Sequence, residues 1–202
     1  MISYSCEALK DDNVLSAVKK INVIFSKIKY GLRDPKTNKP WRDTHKSTTS
    51  KDYEEYWQLG TPEQTIKAGV GVCYDTVAIG REYLSKSGVK FSAYFMTYAD
   101  SALEGKHFTA PTHTFLIYEH EGEWKWLEGS WGPFKNNKWH SKSKSDIVKW
   151  IATAMANMEK NQIVVYSLSG YPKYGCSMTE FELFCRKGTK VGSYNPEKGN
   201  DK

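Results

Sequence analysis

Leu9, Val14, Leu15, Val18, Ile21, Ile24, Phe25 and Ile28 recur at three- and four-residue spacing. That is the period of one face of an α-helix, and it predicts a helix over residues 12–30 that stops at Gly31. Residues 34–50 are polar and hold Pro35 and Pro40, so they read as a long loop, followed by a short helical piece at 52–59. Thr61-Pro62-Glu63-Gln64 marks a helix start, with Thr61 as N-cap, Pro62 in the first turn and Gln64 as capping-box partner. Gly69 and Gly71 end that helix. A new one is predicted from Cys73 to about Ser87, capped by Gly88, with Val77, Ile79, Tyr83 and Leu84 on its buried side. Residues 89–98 read as a strand rich in β-branched and aromatic side chains, and 99–111 as a loop. Residues 113–120 and 123–128 form a hairpin around Glu121-Gly122. A helix over 146–160 presents Ile147, Trp150, Ile151, Ala154 and Met158 as its apolar face, and 163–168 is a strand. Ser177-Met178-Thr179-Glu180 is a second capping box, opening a last helix to about Lys187. Helices first, then an antiparallel meander with helices packed to one side, predict an α+β fold. We expect a single domain over 1–188 and a polar tail at 189–202.

Composition narrows the partners. Over 202 residues, a 39% hydrophobic fraction with seven Trp and thirteen Tyr is enough for one packed core and argues against a disordered binder. The net charge is +6, but the lysines are scattered, with much of the excess in 135–149 and 187–202. No basic stripe or known motif accompanies them, so nucleic acid is not an expected partner. Residues 1–7 lack a basic start and an apolar run, and no stretch approaches the length of a membrane span. Four cysteines without a CxxC pair fit a cytoplasmic location with reduced thiols. No Cys/His ligand spacing recurs, so neither metal nor cofactor is expected.

The candidate chemistry lies in three places. Gly69-Val70-Gly71-Val72-Cys73 puts a thiol at a helix start, Thr112-His113-Thr114-Phe115 puts an imidazole on a strand, and Trp126-Leu127-Glu128-Gly129-Ser130-Trp131 puts an acid on the next strand. A helix N-terminus and a neighbouring imidazole both favour the thiolate, which is the nucleophilic form. With a hairpin loop of two or four residues, His113 faces residue 128 or residue 130. His113 and Glu128 then share a face, with Cβ atoms roughly 5–8 Å apart. Phe115, Ile117, Trp124 and Trp126 lie on that face too, so it reads as the core side on which the Cys73 helix packs. Cys73 is then the nucleophile, His113 the general base and acid, and Glu128 the group that holds the ring. The oxyanion would meet the Cys73 backbone N–H and a second donor, for which Gln64 and Trp57 are candidates. Tyr74, Trp131 and His107 read first as packing or surface residues, and second as walls of a substrate groove. His45, His120 and His140 read as solvated, and Cys6, Cys176 and Cys185 as inert thiols. Each of the three residues taken alone would be ordinary; their combination, in this order, points to chemistry.

From about Thr61 to Trp131 the chain resembles the transglutaminase-like superfamily, the broad papain-related group of Cys-His-Asp/Glu proteins. In particular it is similar to small single-domain bacterial and phage members with a His-Thr-Phe-Leu strand and a Glu-x-Ser-Trp motif. The resemblance implies a nucleophile helix packed on an antiparallel sheet, and acyl chemistry at amide bonds: crosslinking, deamidation, peptide cleavage or removal of glycans. Two positions depart from the pattern. Glu128 stands where Asp is commonest, and Tyr74 where Trp commonly follows the nucleophile. Residues 1–60 and 141–202 carry no resemblance, so substrate choice is expected there and in 99–111.

The expected function is thus cysteine-dependent peptidase, deamidase or transglutaminase-type chemistry on a protein or peptide, through a thioester. Two alternatives remain open from the residues. One is a retired binding module of the same fold. The other is arylamine N-acetyltransferase-like transfer from an acyl-coenzyme A. Neither the acceptor nor the oligomeric state follows from the sequence.

Overall fold

The computed structural model describes residues 6–41, 50–98, 112–131 and 139–197. Among these, the elements in chain order are α1 (Cys6–Phe25), β1 (Lys29–Tyr30), α2 (Ser50–Tyr56), α3 (Pro62–Ala68), β2 (Val70–Gly71) and α4 (Cys73–Lys86). There follow β3 (Phe91–Tyr98), β4 (Thr112–His120), β5 (Glu123–Leu127), β6 (His140–Ser141), α5 (Lys144–Glu159), β7 (Ile163–Leu168), α6 (Met178–Arg186) and β8 (Thr189–Tyr194). Six strands form an antiparallel sheet in the order β6-β5-β4-β3-β7-β8, and β1 pairs with β2 in parallel. The mixed α+β class follows from this arrangement.

The sheet is covered on both faces, not one. Leu116, Leu127, Ala93 and Phe95 pack with Ile21 and Phe25 of α1, Val77, Ala78, Ile79 and Leu84 of α4, and Phe181 and Cys185 of α6. Phe115, Ile117, Trp124, Trp126, Tyr94 and Met96 pack with Ile147, Val148, Ile151, Ala152 and Met155 of α5. The face of Phe115 and Trp126 therefore carries α5, and the Cys73 helix lies on the opposite face. Alternation along the strand separates the two sets correctly, but both sets are apolar, so nothing in the pattern says which helix takes which face. Close approach of α4 depends on Gly80: a Cβ there would lie 2.5 Å from Leu116 Cδ1.

Three other expectations change. The first helix ends at Phe25, because Lys29 and Gly31 donate backbone hydrogen bonds to Gly69 and Gly71 (2.9 and 3.2 Å), pulling 29–30 into a strand. α5 buries Ile147, Val148, Ile151, Ala152, Met155 and Ala156, whereas Trp150 and Met158 are 45% and 47% exposed, so the apolar face is rotated from the expected one. Residues 189–194, expected as tail, form β8 on the outer edge of the sheet.

The local signals were sound elsewhere. Thr61 and Gln64 form a complete capping box on α3, and Gly69 closes that helix in the left-handed region (φ 66°). Ser177 and Glu180 form another on α6. The hairpin turns on Glu121 and Gly122 (φ 55° and 72°), the two-residue loop whose twist matches antiparallel strands. No helix among the described residues is long and apolar enough to cross a membrane.

Candidate active site

α4 starts at Cys73 without a side-chain cap on the preceding residue, since Val72 has none to offer. Asp75 compensates from the third helical position. Its Oδ2 accepts from Val72 N (3.0 Å) and Trp57 Nε1 (3.2 Å), and its Oδ1 accepts from Gly60 N (3.2 Å). One carboxylate thereby fixes the helix start and ties it to residues 57–60. Burial pushes this carboxyl above its ordinary value, against the pull of the three N–H donors and of Arg33. Gly71 makes room for it: a Cβ there would sit 2.9 Å from both Asp75 Cβ and Thr65 Cγ2. Asp75 went unnoticed in the sequence, although an acid at the third position of an uncapped helix was the available signal.

Glu128 lies just past the end of β5, 7% exposed. Its Oε2 meets His113 Nε2 at 2.8 Å. Its Oε1 accepts from Ser130 N (2.7 Å), Ser130 Oγ (3.0 Å) and Trp131 N (2.8 Å). The Glu-Gly-Ser-Trp turn folds back on its own carboxylate, so that one oxygen is held and the other aims at the ring. Gly129 is required by packing, since a Cβ would stand 2.6 Å from Phe25 Cδ2 of α1. Burial acts to raise the Glu128 carboxyl, but His113 and the two backbone N–H groups hold it below its ordinary value.

His113 is 8% exposed, its Nε2 is taken by Glu128, and the Cys73 side chain lies beside the ring. Burial alone would pull the ring down, yet the Glu128 carboxylate and the Cys73 side chain hold it up at about 10. By strand alternation His113 shares the face of Phe115 and Ile117, while Cys73 belongs to the cluster on the other face. The two meet because β5 ends at Leu127, opposite Leu116. Residues 112–115 of β4 thus have no β5 partner, and the helix start reaches the ring at this open corner. The two-residue hairpin loop pairs His120 with Glu123, a register that, carried past the end of β5, would set residue 113 opposite residue 130 and diagonal to Glu128, the parity expected.

The structure thus brings Cys73, His113 and Glu128 together. Trp57 is adjacent, its ring edge-on to Tyr74 at 5.3 Å, but its N–H is committed to Asp75. Gln64 is exposed, its side-chain oxygen held by Thr61 N at 2.9 Å. Trp131 stands 5.0 Å from the His113 ring and walls that side. Tyr74 is buried, and His107 lies outside the described residues. Two unforeseen phenols, Tyr30 and Tyr53, are half-buried and close enough to Cys73 that it adds to desolvation in raising both above their ordinary value. His120, expected to be solvated, is 4% exposed with Nδ1 3.0 Å from Lys125 Nζ; His140 is exposed, and His45 lies outside the described residues. Cys176 and Cys185 are free thiols; burial pushes Cys176 up to about 11 and Cys185 further still, which keeps both protonated. Among the described residues no group of three acidic, Cys or His side chains is placed to hold a metal ion. Compared with known proteins, the chain matches no protein-family model and no curated sequence.

Proposed function

We propose that this chain is a transglutaminase-like cysteine enzyme acting at amide bonds of a protein or peptide. One observation carries the reading: a single imidazole is hydrogen-bonded through Nε2 to a fully engaged carboxylate and lies beside a thiol at a helix start. That is the geometry by which a thiol proton is taken, stored and returned. The motifs around Cys73, His113 and Glu128 that resemble the superfamily point the same way.

The steps balance without a cofactor. With its proton held by His113, the Cys73 sulfur attacks the amide carbon. The oxyanion meets the Cys73 N–H, which at the first helical position has no intrahelical acceptor. His113 returns the proton to the leaving nitrogen, the C–N bond breaks, and a thioester remains. Water deprotonated by His113 then attacks the thioester carbon, the C–S bond breaks, the proton returns to the Cys73 sulfur and the acid leaves; an amine in place of water gives a new amide by the same steps. Glu128 keeps the ring aligned and stabilises the imidazolium throughout.

A second reading, a binding module that retains the fold, has one observation in its favour: Cys73 is only 3% exposed. Intact-mass detection of an acyl adduct with a panel of amide and peptide probes decides between them. Adduct on the natural chain, weakened in His113→Ala and Glu128→Gln and lost in Cys73→Ala at an unchanged unfolding midpoint, supports the enzyme. Folded protein that forms no adduct with any probe sinks it. Acetylation of Cys73 by acetyl-coenzyme A alone would move the chemistry to an acyl-coenzyme A donor.

A further inference from the structure

We propose that Tyr74, Thr112 and Glu182 form a positioning clamp that sets the approach of Cys73 to His113. The proposal deepens the enzymatic reading above and rests on it. Tyr74 follows the nucleophile and Thr112 precedes the histidine, and their hydroxyls are hydrogen-bonded to each other. One bond between side chains thus couples the two backbones that carry the reacting groups.

The clamp sits at an incompletely paired corner of the sheet. Residues 112–115 have β3 on one side and no β5 partner on the other, since β5 ends opposite Leu116. Thr112 has the strand parity of Thr114 and Leu116, which face α4, whereas His113 has the opposite parity. The hydroxyl bond therefore fixes the strand from the α4 side while the ring reaches around the open corner to the sulfur.

Tyr74 is a rigid anchor for this purpose. It is 2% exposed, its ring stacks on Phe181 at 4.2 Å, and its carbonyl accepts from Tyr171 Oη at 2.5 Å. Its hydroxyl also reaches Glu182 Oε1 at 3.5 Å. Either hydroxyl can donate in the Tyr74–Thr112 bond, and the same Tyr74 oxygen faces Glu182. Burial, with Glu182 and Cys73 nearby, pushes the Tyr74 phenol well up, so it remains a donor. α6 braces the same corner a second time: Arg186 Nη2 donates to Thr97 Oγ1 at 3.1 Å, and Thr97 is the strand partner of Thr112. Valine, phenylalanine and methionine would pack these positions without any buried hydroxyl or carboxylate to satisfy.

The test reads the iodoacetamide alkylation rate of Cys73 from pH 5 to 9.5, by mass spectrometry, with Cys176 and Cys185 as internal references. Variants are Tyr74→Phe, Thr112→Val and Thr112→Ser. The clamp predicts that Phe and Val slow Cys73 about tenfold at pH 6, that the rates converge near pH 9.5, and that Ser stays within about twofold of the natural chain. Fast natural labelling with unchanged profiles in Phe and Val overturns the clamp and leaves the enzyme standing. A natural Cys73 no faster than Cys176 sinks both. A loss equal at all pH values, with Ser no better than Val, marks a purely structural tie and also overturns the clamp. If Tyr74→Phe does not fold, the Val and Ser pair decides.

Discussion

Glu128 and Asp75 are buried carboxylates with different tasks, and substitution separates them. Glu128→Gln keeps the shape but leaves His113 buried without its counter-charge; unfolding in denaturant should show a loss of about 3 kcal/mol, together with slowed Cys73 alkylation. Asp75→Asn turns an NH2 group toward a site that receives N–H donors from Val72, Trp57 and Gly60. A loss of about 2 kcal/mol is expected, a fall in melting temperature of roughly 4–8 °C for a chain of this size. Gly129→Ala drives a methyl into Phe25 and should cost about 1–3 kcal/mol. Because the clash belongs to that pair, adding Phe25→Leu should recover part of the Gly129→Ala loss, and a double-mutant cycle measures it. Of these residues the sequence pointed only to Glu128. Asp75 and Gly129 owe their roles to neighbours distant along the chain.

At the scale of elements, capping boxes, glycine closures and the hairpin turn were legible because their physics is confined to a few consecutive residues. Which side of a helix is buried was not so confined. Trp150 looked like core from spacing, yet α5 presents Ile147, Ile151 and Met155 to the sheet. Trp150→Ala should therefore change stability by less than about 0.5 kcal/mol, while Ile151→Ala should cost about 2–5 kcal/mol; chemical denaturation of both variants distinguishes the two faces. β8 escaped notice because its polar residues are exposed along an edge strand and give no apolar alternation. Removing residues 189–202 should lower the melting temperature and promote association, since it uncovers the β7 edge beside the fully buried Ile163 and Val165.

The whole molecule carries a pH signature from the His113–Glu128 pair. The ring is raised from 6.5 to about 10, so its stabilising contribution is complete below 6.5 and is lost as pH rises toward 10. The carboxyl is lowered from 4.5, so its contribution is present above 4.5 and is lost as pH falls through its lowered value. The stability gap between the natural chain and Glu128→Gln should peak between about pH 4.5 and 6.5 and narrow above it. Urea titrations at pH 5.5 and 9.5 check this, and an equal gap at both would overturn the charge pairing.

The sequence by itself determined most elements, the hairpin parity that places His113 and Glu128 on one side for a loop of two or four residues, and the three residues worth suspecting. These follow from periods of two and 3.6 and from turns closed within a few residues. Tertiary structure decided which helix covers which face, the carboxylate that caps α4, and the contact of ring and sulfur at the open corner of the sheet. Each of those joins segments tens of residues apart, and the energy that selects them comes from burial and bonds formed only once the layers have closed.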